Sequence, residues 1–221
     1  MSVPAPLRLA ILISGRGSNM LAIARACTTG SIAASVSLVI ADRADAGGVT
    51  SAAQLGIPTA VVQRSTARDA AAFEAALIAT LEAQRPDVIA LAGFMRILSA
   101  GFVNRFLGRM FNIHPSLLPA YRGLHTHRRV LAAREPQHGA SVHFVTPELD
   151  GGPVVLQSRV AVAPLDTEAT LSARVQATEH IIYPQVLAWF AQRRLAWRDG
   201  AAWLDGTRLA TPVVEDFNAP A

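Results

Sequence analysis

Four stretches of this chain carry side chains whose types and spacing suit chemistry. The first is Phe111-Asn112-Ile113-His114-Pro115-Ser116-Leu117-Leu118-Pro119. Read as the end of a strand, it turns Asn112 and His114 to one face and sends Phe111 and Ile113 into the opposite, apolar layer. A hydrogen-bond donor beside a titratable imidazole, at the carboxyl end of a strand in an open α/β sheet, is where ligands bind. A satisfied structural histidine is the plain alternative. The second stretch, Thr146-Pro147-Glu148-Leu149-Asp150-Gly151-Gly152-Pro153, is a stiff loop. It presents Asp150 at the start of a double-glycine turn, where the carboxylate either pairs with a histidine and keeps it protonated and oriented, or merely makes an Asx-turn.

The third stretch is Ser14-Gly15-Arg16-Gly17-Ser18-Asn19, between the first strand and its helix. Glycines let the backbone approach a ligand, Ser18 or Asn19 can cap the helix, and free N–H groups with the helix dipole favour an anion such as phosphate. The spacing matches neither G-x-G-x-x-G nor a lysine P-loop, and a tight turn with a capped helix would look the same. The fourth feature is Glu179, which falls between Val175 and Ile182 on the apolar stripe of a long helix. Buried without a partner it would cost several kcal/mol, so it needs an internal arginine or a ligand hydroxyl. His125 and His127 form an H-x-H pair, but no cysteine or carboxylate cluster completes a tetrahedral metal set. Ala92 to Leu98 offers apolar residues and free backbone groups for a flat heterocycle, or simply packs.

The elements that must position these groups follow from periodicity. Short β-branched runs alternate with Ala/Leu-rich segments, the pattern of a mostly parallel sheet covered by helices. Strands are predicted at 8–13, 35–41, 59–62 and 87–92, and helices at 20–29, 49–55 and 67–84, the last ended by Pro86. This is a doubly wound α/β arrangement with a Rossmann-like N-terminal half. The second half gives strands at 109–114, 141–145 and 154–162, a helix at 168–192 that contains Pro184, a terminal hairpin around Asp205-Gly206, and a loose tail after Pro212.

Composition narrows the class. A chain of 221 residues can bury roughly 70 to 75% of its unfolded surface, so it needs no staple. The single cysteine cannot close an intrachain disulfide, and Met1 to Pro6 lacks a basic segment leading into an apolar core, so a reducing, cytoplasmic setting is expected. No apolar run reaches the roughly 18 to 20 residues that span a bilayer. All 20 basic residues are arginine, which excludes a Schiff-base lysine and a P-loop lysine but suits an anionic substrate. They are scattered, without interleaved aromatics, so no nucleic-acid partner is expected.

The runs ISGRGSN, LAGFMRIL, FNIHPSLLPAYRGLHTH, SVHFVTPELDGGPV, ARVQATEHIIYP and AAWLDGTRL, in that order over nearly the whole chain, resemble the phosphoribosylglycinamide formyltransferases, folate-dependent enzymes of purine synthesis. The N-x-H-P-S-L-L-P run and the later aspartate are shared with other formyltetrahydrofolate enzymes, whereas GLHTH, TEHIIYP and AAWLDG are more specific. The resemblance implies the formyltransferase fold as one domain over 1–221, with a phosphate-binding half at 7–108, a catalytic and folate-binding half at 109–211 and the tail at 212–221. It implies direct transfer, through a tetrahedral intermediate, of the formyl group of 10-formyltetrahydrofolate, a co-substrate, to the amine of glycinamide ribonucleotide. Asn112, His114 and Asp150 are the implied catalytic residues, with no metal.

Gly17, Ser18 and Asn19 would then hold the substrate phosphate and Glu179 its ribose hydroxyls. Met95, Arg96, Ile97 and Leu98 would grip the pterin through main-chain hydrogen bonds, with Leu91 and Val145 as apolar walls. An ungapped alignment puts Ala70 where the family has a folate-contacting arginine; Arg68, with Arg64 nearby, is assigned that contact. Arg16 replaces a smaller polar residue and can add a phosphate contact, and the Leu118-Pro119 bond is expected to be cis. The implied partners are the two small molecules, no nucleic acid and no membrane, with the chain a monomer or homodimer. Two other readings stand beside this one: another 10-formyltetrahydrofolate enzyme such as a formyltetrahydrofolate hydrolase, and a non-catalytic nucleotide-binding module using only the glycine loop.

Overall fold

The computed structural model describes residues 5–217, which divide into two compact units, one up to Phe111 and one from Asn112 onward. In the first unit, strands β1 (Leu7–Ile13), β2 (Ala34–Ala41), β3 (Thr59–Val61) and β4 (Val88–Leu91) pair in the order β3-β2-β1-β4, every pair parallel. From Leu9 to Ile13, β1 has no solvent exposure. A strand covered on both faces must read as a continuous apolar run, and this one does.

Helices α1 (Ser18–Thr28), α2 (Gly47–Gln54) and α3 (Ala70–Gln84) connect these strands. Helix α3 starts three residues later than its Ala-rich pattern predicts, because Asp69 is extended and its carboxylate accepts the Ala72 N–H at 2.7 Å. It stops at Arg85, in the left-handed region just before Pro86. Helix α4 (Ala100–Arg105), short and capped by Ser99, has no counterpart in the sequence reading.

The second unit places β5 (Met110–His114, whose first two residues belong to the first unit), β6 (Gln137–Phe144), β7 (Val154–Ala161) and β11 (Val213–Asp216) in the order β5-β6-β7-β11. Strands β6 and β7 are antiparallel, and β7 and β11 parallel. Strand β6 begins four residues before the predicted Ser141, because its pairing with β7 runs from Gln137 opposite Ala161. Polar residues there masked the strand: His138 is buried although it breaks the apolar pattern. Helix α5 (Thr126–Ala133) also has no counterpart in the sequence reading. Helix α6 (Glu168–Ala191) contains Pro184, is capped by Thr167 in a box with Thr170, and buries Leu171, Val175, Glu179, Ile182 and Val186 as its stripe predicts.

A separate three-stranded sheet joins β8 (Leu195–Arg198), β9 (Ala201–Leu204) and β10 (Thr207–Arg208). Its turns are Asp199-Gly200 and Asp205-Gly206, all four residues with positive φ, as two-residue hairpins of this twist require. One hairpin was expected and two are present. The tail expected to be loose contributes β11 at 213–216; residues 218–221 lie outside the described residues. The fold is α/β with a mostly parallel sheet, and among the described residues no helix is long and apolar enough to cross a membrane.

Candidate active site

In the first unit the chain leaves β1 toward β2 and β3 and later returns to β4 on the other side of β1, which makes the β1/β4 boundary the topological switch point where open α/β sheets bind ligands. Both predicted loops of this unit start there. Ser14 follows β1 directly; its N–H donates to the Gly93 carbonyl at 3.1 Å, and its hydroxyl accepts the Met95 N–H at 2.8 Å. Gly17 stands at the N-cap of α1 with φ 76°, and no side chain caps the helix. A Cβ on Gly17 would lie 3.0 Å from the Gly48 Cα, so the position needs glycine for space as well as for conformation. With no acidic side chain in the first turn, the helix start at Ser18 and Asn19 suits an anion.

The 93–98 segment is fastened from below. Asp42, at the end of β2 and almost wholly buried, accepts a hydrogen bond from the Arg96 guanidinium. Leu91 and Leu98 are buried, while Met95 and Ile97 present exposed side chains. Arg68 is exposed and paired with its neighbour Asp69 at 3.0 Å.

In the second unit Asn112 and His114 alternate with buried Ile113 as the strand reading requires. The hydrogen bonds around them fix their hydrogens. His143, fully enclosed on β6, has Nδ1 2.9 Å from the Phe144 carbonyl, which can only accept; Nδ1 therefore carries the hydrogen. Its Nε2 lone pair then faces the Asn112 side chain at 3.2 Å, and only the amide nitrogen can donate to it. The amide of Asn112 is thereby oriented.

His114 is fixed by the same logic. Its Nε2 lies 2.9 Å from the Tyr121 carbonyl and must donate to it, which leaves Nδ1 facing Asp150 Oδ2 at 3.5 Å. Both side chains are about nine-tenths shielded from solvent. Asp150 Oδ2 also accepts the Gly123 N–H at 2.9 Å, and Oδ1 sits 3.9 Å from His143 Nε2. The turn that carries Asp150 cannot be built without Gly152: a Cβ there would lie 1.8 Å from the Phe144 carbonyl oxygen. An Arg122–Glu148 ion pair adds a second tie between the loops bearing Gly123 and Asp150.

Tyr121 itself has φ 57°. Such backbone costs a non-glycine residue on the order of 1–2 kcal/mol. Its hydroxyl donates to Glu135 Oε1 at 2.7 Å and the Arg129 guanidinium lies 5.2 Å above its ring. The bond to the carboxylate and the guanidinium over the ring both act against that strain.

Burial pushes the His138 and His143 imidazoles down from 6.5 to about 4, and it also lowers His127, whose Nδ1 lies 2.9 Å from His138 Nε2. The H-x-H motif is thus divided: His127 pairs with His138, while His125 occupies the N-cap of α5. Below about 6.5 the unfolded chain takes up protons that buried His138 and His143 refuse. Stability is therefore expected to be full above that pH and to fall steadily toward about 4. Urea midpoints between pH 8 and 4.5 test this; a midpoint that stays level to pH 5 contradicts it.

Burial raises the Cys27 thiol from 9.0 to about 11, so it is not a nucleophile near neutrality. Cys27→Ala should leave turnover within about twofold of the parent, whereas an inactive variant would mean covalent catalysis.

Taken together, an oriented amide donor, an imidazole and a carboxylate lie in hydrogen-bonding or ionic reach on β5 and the loop after β6. The set can stabilise a developing oxyanion and move a proton. Residues 7–187 match the family model described as formyl transferase. The phosphoribosylglycinamide formyltransferase of Escherichia coli (strain K12) is 51% identical over 203 residues, 92% of this chain and 96% of that protein. The chain belongs to the phosphoribosylglycinamide formyltransferase family.

Among solved structures, the phosphoribosylglycinamide formyltransferase from Coxiella burnetii superposes with a TM-score of 0.91 at 48% identity, covering 95% of this chain and 99% of that one. A formyltetrahydrofolate deformylase from Burkholderia mallei gives a TM-score of 0.82 at 24% identity, covering 90% of this chain and 70% of that one, a likeness of fold alone. As a formyltransferase, the chain places its sequence-assigned residues as follows. Asn112, His114 and Asp150 cluster in the second unit, and Leu118-Pro119 is cis. Glu179 is buried on α6 and not without a partner, and Val145 is buried just after β6. Sequence reasoning missed His143, Tyr121 and Gly123. Of these only His143 left a signal, a polar residue amid the buried positions of β6; the other two act through main-chain atoms.

Proposed function

We infer that this chain transfers the formyl group of 10-formyltetrahydrofolate to the amine of glycinamide ribonucleotide, giving formylglycinamide ribonucleotide for purine biosynthesis. The observation that carries this is the Asn112, His114 and Asp150 cluster, fixed by hydrogen bonds, in a chain of this family. The neutral amine attacks the formyl carbon, a C–N bond forms, and the carbonyl oxygen becomes an oxyanion held by Asn112 and His114. Collapse breaks the bond to the folate nitrogen, and the amine's proton passes to that nitrogen through His114, with Asp150 balancing its charge. No acyl-enzyme and no metal take part.

Gly17, Ser18 and Asn19 hold the substrate phosphate, with Arg16 adding a charge, and Glu179 takes the ribose hydroxyls. Main-chain groups of Met95, Arg96, Ile97 and Leu98 hold the pterin, Leu91 and Val145 supply apolar walls, and Arg68 meets the folate tail. Both units serve this one reaction as a single formyltransferase domain, in the cytoplasm, as a monomer or homodimer without nucleic-acid or membrane partners. The test supplies 10-formyltetrahydrofolate with and without glycinamide ribonucleotide. Folate release that requires the nucleotide supports the reading; equal release in water alone would make the chain a hydrolase.

A further inference from the structure

We infer that Tyr121 is a positioning residue for formyl transfer: its main-chain carbonyl, held in place by the bond from its phenol to Glu135, decides which ring nitrogen of His114 faces Asp150. The inference rests on the formyl-transfer reading above.

A carbonyl oxygen can only accept, so the 2.9 Å contact obliges His114 Nε2 to carry a hydrogen and leaves Nδ1 as the nitrogen that gains or loses a proton during the reaction. Were the carbonyl turned away, a neutral ring could place its hydrogen on either nitrogen, and part of the population would have the wrong one bare.

The direction of that carbonyl depends on the left-handed backbone of Tyr121, a conformation that a tyrosine abandons unless something holds it. Two contacts on its side chain do so, and a third ties down the next residue. The phenol donates to Glu135 at 2.7 Å, the Arg129 guanidinium covers the ring, and Arg129 also donates to the Arg122 carbonyl at 2.7 Å. Glu135 is itself fixed where α5 ends: Arg134 is left-handed and the Glu135 N–H returns to the Val130 carbonyl at 3.2 Å. The end of a helix thus sets the hydrogen on a ring it does not touch.

The test compares Tyr121→Phe, Glu135→Ala and Glu135→Gln. The first two are expected to lose about 10- to 100-fold in kcat through misplacement of the ring, with KM for both substrates nearly unchanged. Glu135→Gln, whose amide oxygen still accepts from the phenol, is expected to recover most of the loss seen in Glu135→Ala. Nitrogen-15 spectra of histidine-labelled protein give the second readout, with the His114 signals assigned from their absence in His114→Ala. The parent should show hydrogen held on Nε2 when the ring is neutral, and Tyr121→Phe a mixture. Unchanged kcat, or a fall in kcat with the His114 spectrum unaltered, overturns the inference. If the parent transfers no formyl group the function reading fails, yet the spectra still decide whether Tyr121 sets the tautomer.

Discussion

Replacing His114 with alanine is expected to lower kcat by about 100- to 10,000-fold, the range over which a positioned acid–base group accelerates proton transfer, while KM for both substrates stays near that of the parent. The geometry says why the loss belongs to turnover. Nε2 is committed to the Tyr121 carbonyl, so that edge of the ring is an anchor. Nδ1 stands 3.5 Å from Asp150, near enough for charge to be felt and too far for a strong hydrogen bond. A hydrogen on Nδ1, not committed to a strong bond with Asp150, stays available to an oxyanion that exists only after the amine has attacked. Asp150→Asn should fall in the same direction, and the double variant should lose little more than the worse single one, because the two act as a unit. Steady-state kinetics check this, with urea midpoints to confirm folding. A His114→Ala enzyme within about threefold of the parent would remove the imidazole from the reaction.

Asn112→Ala should cost about 100- to 1000-fold in kcat, the usual consequence of deleting one preorganised oxyanion donor. A second effect separates this variant from a simple truncation. The lone pair of enclosed His143 loses its donor, and an unsatisfied buried acceptor costs about 1–3 kcal/mol, so the urea midpoint should drop as well. Asn112→Asp offers the control: it nearly keeps volume but provides an acceptor where both His143 and the oxyanion need a donor. It should be no more active than alanine. Activity retained in either variant would show that the amide plays no part in transfer.

The sequence made some of this legible for reasons that are themselves physical. Apolar β1 and the alternation in Phe111-Asn112-Ile113-His114 follow directly from strand geometry, and the stripe of α6 gave the burial of Glu179. What stayed hidden was structure that depends on partners distant in the chain. Strand β6 begins with Gln137 and His138, which look like loop residues until β7 pairs with them, and β11 exists only because β7 offers an edge. Helix α3 was drawn too long because an Ala-rich run continues the pattern past the point where Asp69 sets the start. At the candidate site, type and spacing singled out Asn112 and His114 and left Asp150 open between a histidine partner and an Asx-turn; the structure places Asp150 beside His114. Their supports were not readable, since Tyr121 and Gly123 act through carbonyl and N–H groups that every residue possesses.

The shielding of His143 has a practical consequence for anyone rebuilding this chemistry elsewhere. A ring that resists charging until about pH 4 keeps the same lone pair toward Asn112 across the whole working range, so the amide behaves as a fixed dipole rather than a freely rotating one. Grafting only an asparagine, a histidine and an aspartate onto a new scaffold would reproduce the reagents without their aim. The smallest transplantable unit also includes the imidazole behind the amide and the main-chain groups behind the other two.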